Sequence, residues 1–121
     1  MAWSYEQASG RMSHAGSLLA SGYSGHGAGL NNPATEERHG VGPIPKGHYK
    51  IVSMSNSPHS GECTLELTPM ATTHVFGRSG FAIHGDNGDH ARTASTGGIV
   101  IVERGHREAI WNSGVRDLMV E

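Results

Sequence analysis

A chain of 121 residues has the length of one domain and leaves no room for a second core. Eighteen glycines stand beside only 21 Leu, Ile, Val and Phe together, so the core is small and the chain turns often. A net charge of −2 with 17% charged residues keeps it out of the disordered class. No apolar run is long enough to cross a bilayer as a helix, and nine Lys and Arg offer no basic face to nucleic acid. A single cysteine, Cys63, excludes an internal disulfide framework and a Cys-rich zinc cage. Met1 to Tyr5 carries neither a basic region nor an apolar stretch, so no signal peptide is expected and synthesis is placed in the cytoplasm.

Ala2 to Glu6 alternates apolar and polar residues, Ala8-Ser9-Gly10 turns, and Arg11 to His14 pairs back as a hairpin. Ser17 to Tyr23 reads as a third strand. From Ser24 to Gly47 the periodicity dissolves into Gly, Asn, Pro and charge, a length of loop that in a small domain is functional or mobile. His48 to Ser53, Cys63 to Leu67 and Phe81 to His84 are short strands. Gly98-Ile99-Val100-Ile101-Val102 is the most β-branched run and reads as a buried central strand. Glu103 to Asn112 is the one helical stretch, with Ile110 and Trp111 facing the sheet and Ser113-Gly114 ending it. Arg116 to Glu121 returns as the last strand. The expected fold is mainly β, a single domain over residues 1–121.

Three stretches carry chemistry. Phe81-Ala82-Ile83-His84-Gly85 delivers a histidine from a strand into a glycine turn, with rigid backbone behind the ring and room in front, as a general base requires. Thr93-Ala94-Ser95-Thr96-Gly97-Gly98 runs into the Ile-Val-Ile-Val strand, and a Gly-rich turn there aims successive N–H groups at one point. Pro43-Ile44-Pro45-Lys46-Gly47-His48-Tyr49 is a β-turn opening a strand.

Taken in order, Gly42 to Tyr49, Ile83-His84-Gly85 and Ser95-Thr96-Gly97-Gly98 resemble the motifs of the L,D-transpeptidase family of peptidoglycan enzymes. Trp3-Ser4-Tyr5, Gly22 to Gly27, Asn31-Asn32-Pro33, Phe76 to Phe81 and Ile110 to Gly114 extend the resemblance over nearly the whole chain. They make it most similar to the compact effectors of type VI secretion and their phage-borne relatives. The resemblance implies a small curved mixed sheet or flattened barrel with one short C-terminal helix, and no cofactor. The ligand it implies is the peptide stem of peptidoglycan, reached in a target cell's periplasm, with an immunity protein and delivery machinery as partners. His84 would be the base, oriented by a backbone carbonyl such as that of Gly85. Gly97 and Gly98 would supply oxyanion N–H groups and Ser95 would brace the turn. Arg78 would hold a substrate carboxylate, with His26, Tyr23 and Gly85 lining the groove.

One departure governs the chemistry. The family's nucleophilic cysteine falls on Gly98, which has no atom to attack with. An inactivated enzyme and a pseudoenzyme that keeps its cleft both fit this replacement. A phage assembly or wall-binding protein on the same fold is the competing class. Cys63 alternates with Leu65 and Leu67 and is expected in the core, inert. His84, Asp86, Asp89 and His90 fit no established zinc spacing, so no metal is expected.

Overall fold

The computed structural model describes residues 2–57, 61–85, 95 and 97–121. In chain order the elements are β1 (Trp3–Tyr5), β2 (Arg11–His14), β3 (Ser17–Ser21), β4 (Tyr23–Ser24), β5 (Gly47–Ser57), β6 (Gly61–Pro69), β7 (Ala82–His84), β8 (Ile99–Val100), α1 (Arg104–Asn112) and β9 (Asp117–Val120). Tyr49 and Ile51 point inward on β5, Leu65 and Leu67 on β6, and this alternation builds the longest pair of the fold. Among the described residues the strands form one mixed sheet of nine, ordered β3-β2-β1-β9-β5-β6-β7-β8-β4.

Residue 22 alone separates β3 from β4, yet these strands are the two ends of that order. The sheet therefore curls until its edges meet, a nearly closed barrel. The seam is sealed backbone to backbone. The Gly22 N–H donates to the Gly10 carbonyl at 2.7 Å, and a Cβ on Gly22 would lie 2.0 Å from the Val100 carbonyl oxygen. Gly10, at φ +76°, would press a Cβ to 1.9 Å from the Gly22 oxygen. Only glycine fits either position.

Inside lie Tyr5, Met12, Tyr49, Ile83, Ile99 and Leu118, all essentially without solvent contact. α1 closes one end with Ile110 and Arg107 turned inward, and Gly114 at φ +76° follows its last turn. The Trp3 indole N–H donates to Ser113 Oγ at 3.1 Å, tying that end to β1. Truncating a side chain as buried as Ile110 costs roughly 2–5 kcal/mol.

Several expected elements change shape. The strand expected over Ser17 to Tyr23 breaks at Gly22, because its two halves serve opposite edges. β5 and β6 are longer than His48–Ser53 and Cys63–Leu67, and β5 is exposed from residue 52 to residue 56. The run from Gly98 is buried as far as Ile101, but only Ile99–Val100 is strand and Val102 is exposed. It lies next to the seam, not at the centre of the strand order. The stretch from Ser24 to Gly47 is built on two 3-10 turns, Gly27–Gly29 and Pro33–Thr35. Its own bonds hold it, among them Asn31 N–H to the Ser24 carbonyl at 2.9 Å.

Candidate functional site

β7 and β8 run parallel, Ile83 beside Ile99 and His84 beside Val100. Residue 98 thus enters the sheet level with Ala82, one pleat before His84. A Cβ built on Gly98 would stand 3.5 Å from Cδ2 of the His84 ring. The ring itself is held by its Nδ1, 2.8 Å from the Gly85 carbonyl oxygen. A carbonyl only accepts, so Nδ1 carries the proton and the neutral ring bears its lone pair on Nε2, bonded to Cδ2 on the edge that faces residue 98.

The turn before β8 is organised by two buried hydroxyls. Ser95 Oγ donates to the Gly98 carbonyl at 2.7 Å and accepts the N–H groups of Gly25 at 2.8 Å and Gly97 at 3.2 Å. Ser24 Oγ donates to the same Gly98 carbonyl at 2.6 Å and accepts the Ile44 N–H at 2.8 Å. His26 Nδ1 donates to the Ser95 carbonyl at 2.9 Å, which brings its half-buried ring beside the turn. Loop, turn and strand entry are thereby one hydrogen-bonded unit around residue 98. The Gly97 N–H, expected to face an oxyanion, is spent within the turn on Ser95.

Arg78 occupies a different place from the one its chemistry suggested. Arg78 is 7% exposed, and its guanidinium donates to the carbonyls of Glu36, Pro43 (2.7 Å) and Gly42 (2.9 Å). A Cβ on Gly97 would come within 2.3 Å of Nη2, so Arg78 lies directly behind the turn. Burial lowers its pKa, opposed by the neighbouring Tyr49 and Glu36. The fork that was to grip a carboxylate is committed to backbone carbonyls of the loop it secures. Tyr23, expected along the groove, is 3% exposed and lies inside the sheet on β4, paired with Val100. Tyr49 is likewise structural. Burial pushes its hydroxyl pKa up, and the neutral group donates to the Pro45 carbonyl at 2.7 Å.

Cys63 is 1% exposed, with φ +55° and its N–H on Asn56 Oδ1 at 3.2 Å. Leu65 pairs with Ile83, and at Cys63 the positive φ breaks the strand alternation. The Cys63 carbonyl accepts from Arg107 Nε–H at 3.1 Å. Of the stretch weighed for metal, Asp86, Asp89 and His90 lie outside the described residues, as do Thr93, Ala94 and Thr96 of the glycine turn.

Ser24 and Arg107 are the participants that the linear motifs did not single out. Ser24 lies inside the Gly22 to Gly27 stretch, which carried the resemblance without assigning it a role. Arg107 was legible in principle, one helical turn before Ile110 on the inward stripe of α1.

Residues 19–120, most of the chain, match the family model of the Tlde1 domain. The protein belongs to this family of type VI secretion L,D-transpeptidase effectors. The matched span takes in His84, Ser95, Gly98 and Gly22 of the seam, and leaves out β1, β2 and Gly10. No curated protein matches the chain, and no solved structure does. No helix among the described residues is long and apolar enough to cross a membrane.

Proposed function

We propose that this Tlde1-family domain binds the peptide stem of peptidoglycan at the face that carries His84 and residue 98, and does not turn it over. The observation that carries the reading is the placement of Gly98. A side chain there would begin 3.5 Å from His84 Cδ2, on the lone-pair edge of a ring held by the Gly85 carbonyl. This sets residue 98 beside the ring, as a thiol and its base must be for acyl transfer. The same Cβ would crowd the Ala82 carbonyl oxygen at 2.6 Å, and the position holds glycine.

In a family member with cysteine at this point, the imidazole takes the thiol proton and the thiolate attacks the stem-peptide carbonyl. Collapse of the tetrahedral adduct expels the D-alanine amine, and an amine or water resolves the acyl-enzyme. With Gly98 the sequence of steps stops before the first bond forms. The His84 ring still faces residue 98, and His26 is tied to the Ser95 carbonyl of the turn before it. A domain that grips the stem without cutting it acts on the wall by occupancy, in the periplasm of the cell that receives it.

The test uses the chain as it stands. Titration with tetrapeptide muropeptides should show saturable binding, weakened at least tenfold by His84→Ala. Mass spectrometry after prolonged incubation should show no loss of D-alanine and no exchange of D-amino acids. Turnover by the unaltered chain would sink the reading, and absence of any stem binding would leave the fold in other use.

A further inference from the structure

One guanidinium holds the back of the sheet where His84 and residue 98 stand on the front. Arg107, on α1 and 5% exposed, donates Nε–H to the Cys63 carbonyl at 3.1 Å. Its Nη1 donates to the Ile101 and Val102 carbonyls at 2.6 and 3.0 Å. Those acceptors belong to β6 and to the segment leaving β8. The strand between them, β7, is reached through Gly85. A Cβ on Gly85 would stand 3.0 Å from Nη1 and 3.2 Å from both Cζ and Nη2. The bare Cα of Gly85 therefore faces the guanidinium at a range that a side chain would close.

Two further bonds complete the connection to the ring. The Ile101 N–H donates to the His84 carbonyl at 2.9 Å, so the residue whose carbonyl Arg107 grips also holds the end of β7. The Gly85 carbonyl is the acceptor that keeps the proton on His84 Nδ1. Alternation along β7 turns Ile83 inward and Ala82 and His84 outward, so Arg107 presses on the backbone from the face opposite the imidazole.

We propose that Arg107 is the positioning residue of the His84 imidazole: seated against Gly85, it fixes the peptide whose carbonyl holds the ring in its Nδ1–H tautomer. The proposal rests on the reading of His84 as the base of this site. It also gives a reason for glycine at 85 besides turning the chain. Lysine would keep the charge but not the fork, since one ammonium on a flexible stem does not span acceptors on two segments while lying against a third. A guanidinium acting only as a staple for α1 would leave the ring untouched when Arg107 is changed to lysine.

The experiment is nitrogen-15 NMR of the imidazoles in the unaltered full chain, in Arg107→Lys and in Gly85→Ala, with no wall fragment present. The parent should show His84 as one dominant Nδ1–H tautomer. Both variants should shift the Nδ1 and Nε2 resonances of His84 toward each other as that tautomer loses its dominance. His48, held through Nε2 by Asp117 at 2.7 Å, should keep its pattern and so reports that the sheet is intact. If Arg107→Lys does not fold, Gly85→Ala decides alone, because it keeps every donor of Arg107. An unchanged His84 signature in either folded variant overturns the proposal. Since no stem peptide enters the measurement, that result would leave the binding reading standing.

Discussion

Gly98 packs so close to Ala82 that a Cβ on it would lie 2.6 Å from the Ala82 carbonyl oxygen. Real Cβ atoms do not approach a backbone oxygen that closely, so a side chain at 98 requires β7 and β8 to part by a few tenths of an ångström or more. The same vector points at His84, which makes residue 98 the one substitution that tests both packing and chemistry. Gly98→Cys should therefore cost about 1–3 kcal/mol of stability, read as a lower urea midpoint with unchanged slope. It should also create a thiol that iodoacetamide alkylates faster than Cys63 near neutral pH, because a neighbouring imidazolium favours the thiolate and lowers the thiol pKa below its reference of about 8.5. His84→Ala in that background should abolish the advantage and any release of D-alanine. An introduced thiol as sluggish as an ordinary one, indifferent to His84, would separate the two residues chemically.

Ser95 and Ser24 share the Gly98 carbonyl but not the same load. Ser95→Ala strands the Gly25 and Gly97 N–H groups in a buried turn, whereas Ser24→Ala strands that of Ile44. At about 1–3 kcal/mol for each buried group left without a partner, Ser95→Ala should be the more destabilising, by roughly 1 kcal/mol or more. Urea titration of the two single variants measures the difference. Equal losses would mean that the Gly98 carbonyl dominates both.

Arg78 should behave as a structural cation. Arg78→Lys leaves carbonyls of Glu36, Gly42 and Pro43 with fewer donors in a buried setting, for an expected loss of about 2–4 kcal/mol. Stem-peptide affinity, compared at equal folded fraction, should change less than threefold. A variant with unaltered thermal midpoint and tenfold weaker binding would return Arg78 to the role of carboxylate clamp.

Acid should find a weak point between β5 and β9. Lys50 at 2.6 Å and His48 at 2.7 Å both bond Asp117, and these bonds, Lys50's first, hold its carboxyl below the usual carboxylate range. A carboxyl depressed in the folded state adds stability above its unfolded pKa of about 4, and that share fades as pH falls through the lower folded value. Urea midpoints from pH 6 down to pH 3 should thus drop less steeply in Asp117→Asn than in the parent. Because Asp117 is well exposed, salt should shrink the difference. Parallel curves for the two proteins would remove Asp117 from the acid response.

The linear sequence determined a good deal. Alternation in Trp3-Ser4-Tyr5 and the Ile110 stripe of α1 are short-range patterns, and each appears as an element near its expected bounds. The β-branched run from Gly98 is buried as far as Ile101 but keeps only Ile99–Val100 as strand. The ordered motifs were enough to lead to the family, because their spacing along the chain survives without knowledge of how the chain is folded. What the sequence could not carry was direction. Arg78 reads as a carboxylate fork until folding buries it among carbonyls brought from 36 to 43, a pairing between segments some forty residues apart. Ser17 to Tyr23 reads as one strand until the barrel closes and Gly22 must touch both Gly10 and Val100. The facing of residue 98 and His84, the shared hydroxyl clamp of Ser24 and Ser95, and the seat of Arg107 behind Gly85 are likewise products of strand register. Register is fixed by which apolar faces meet inside the barrel, a property of the closed sheet that no local stretch contains.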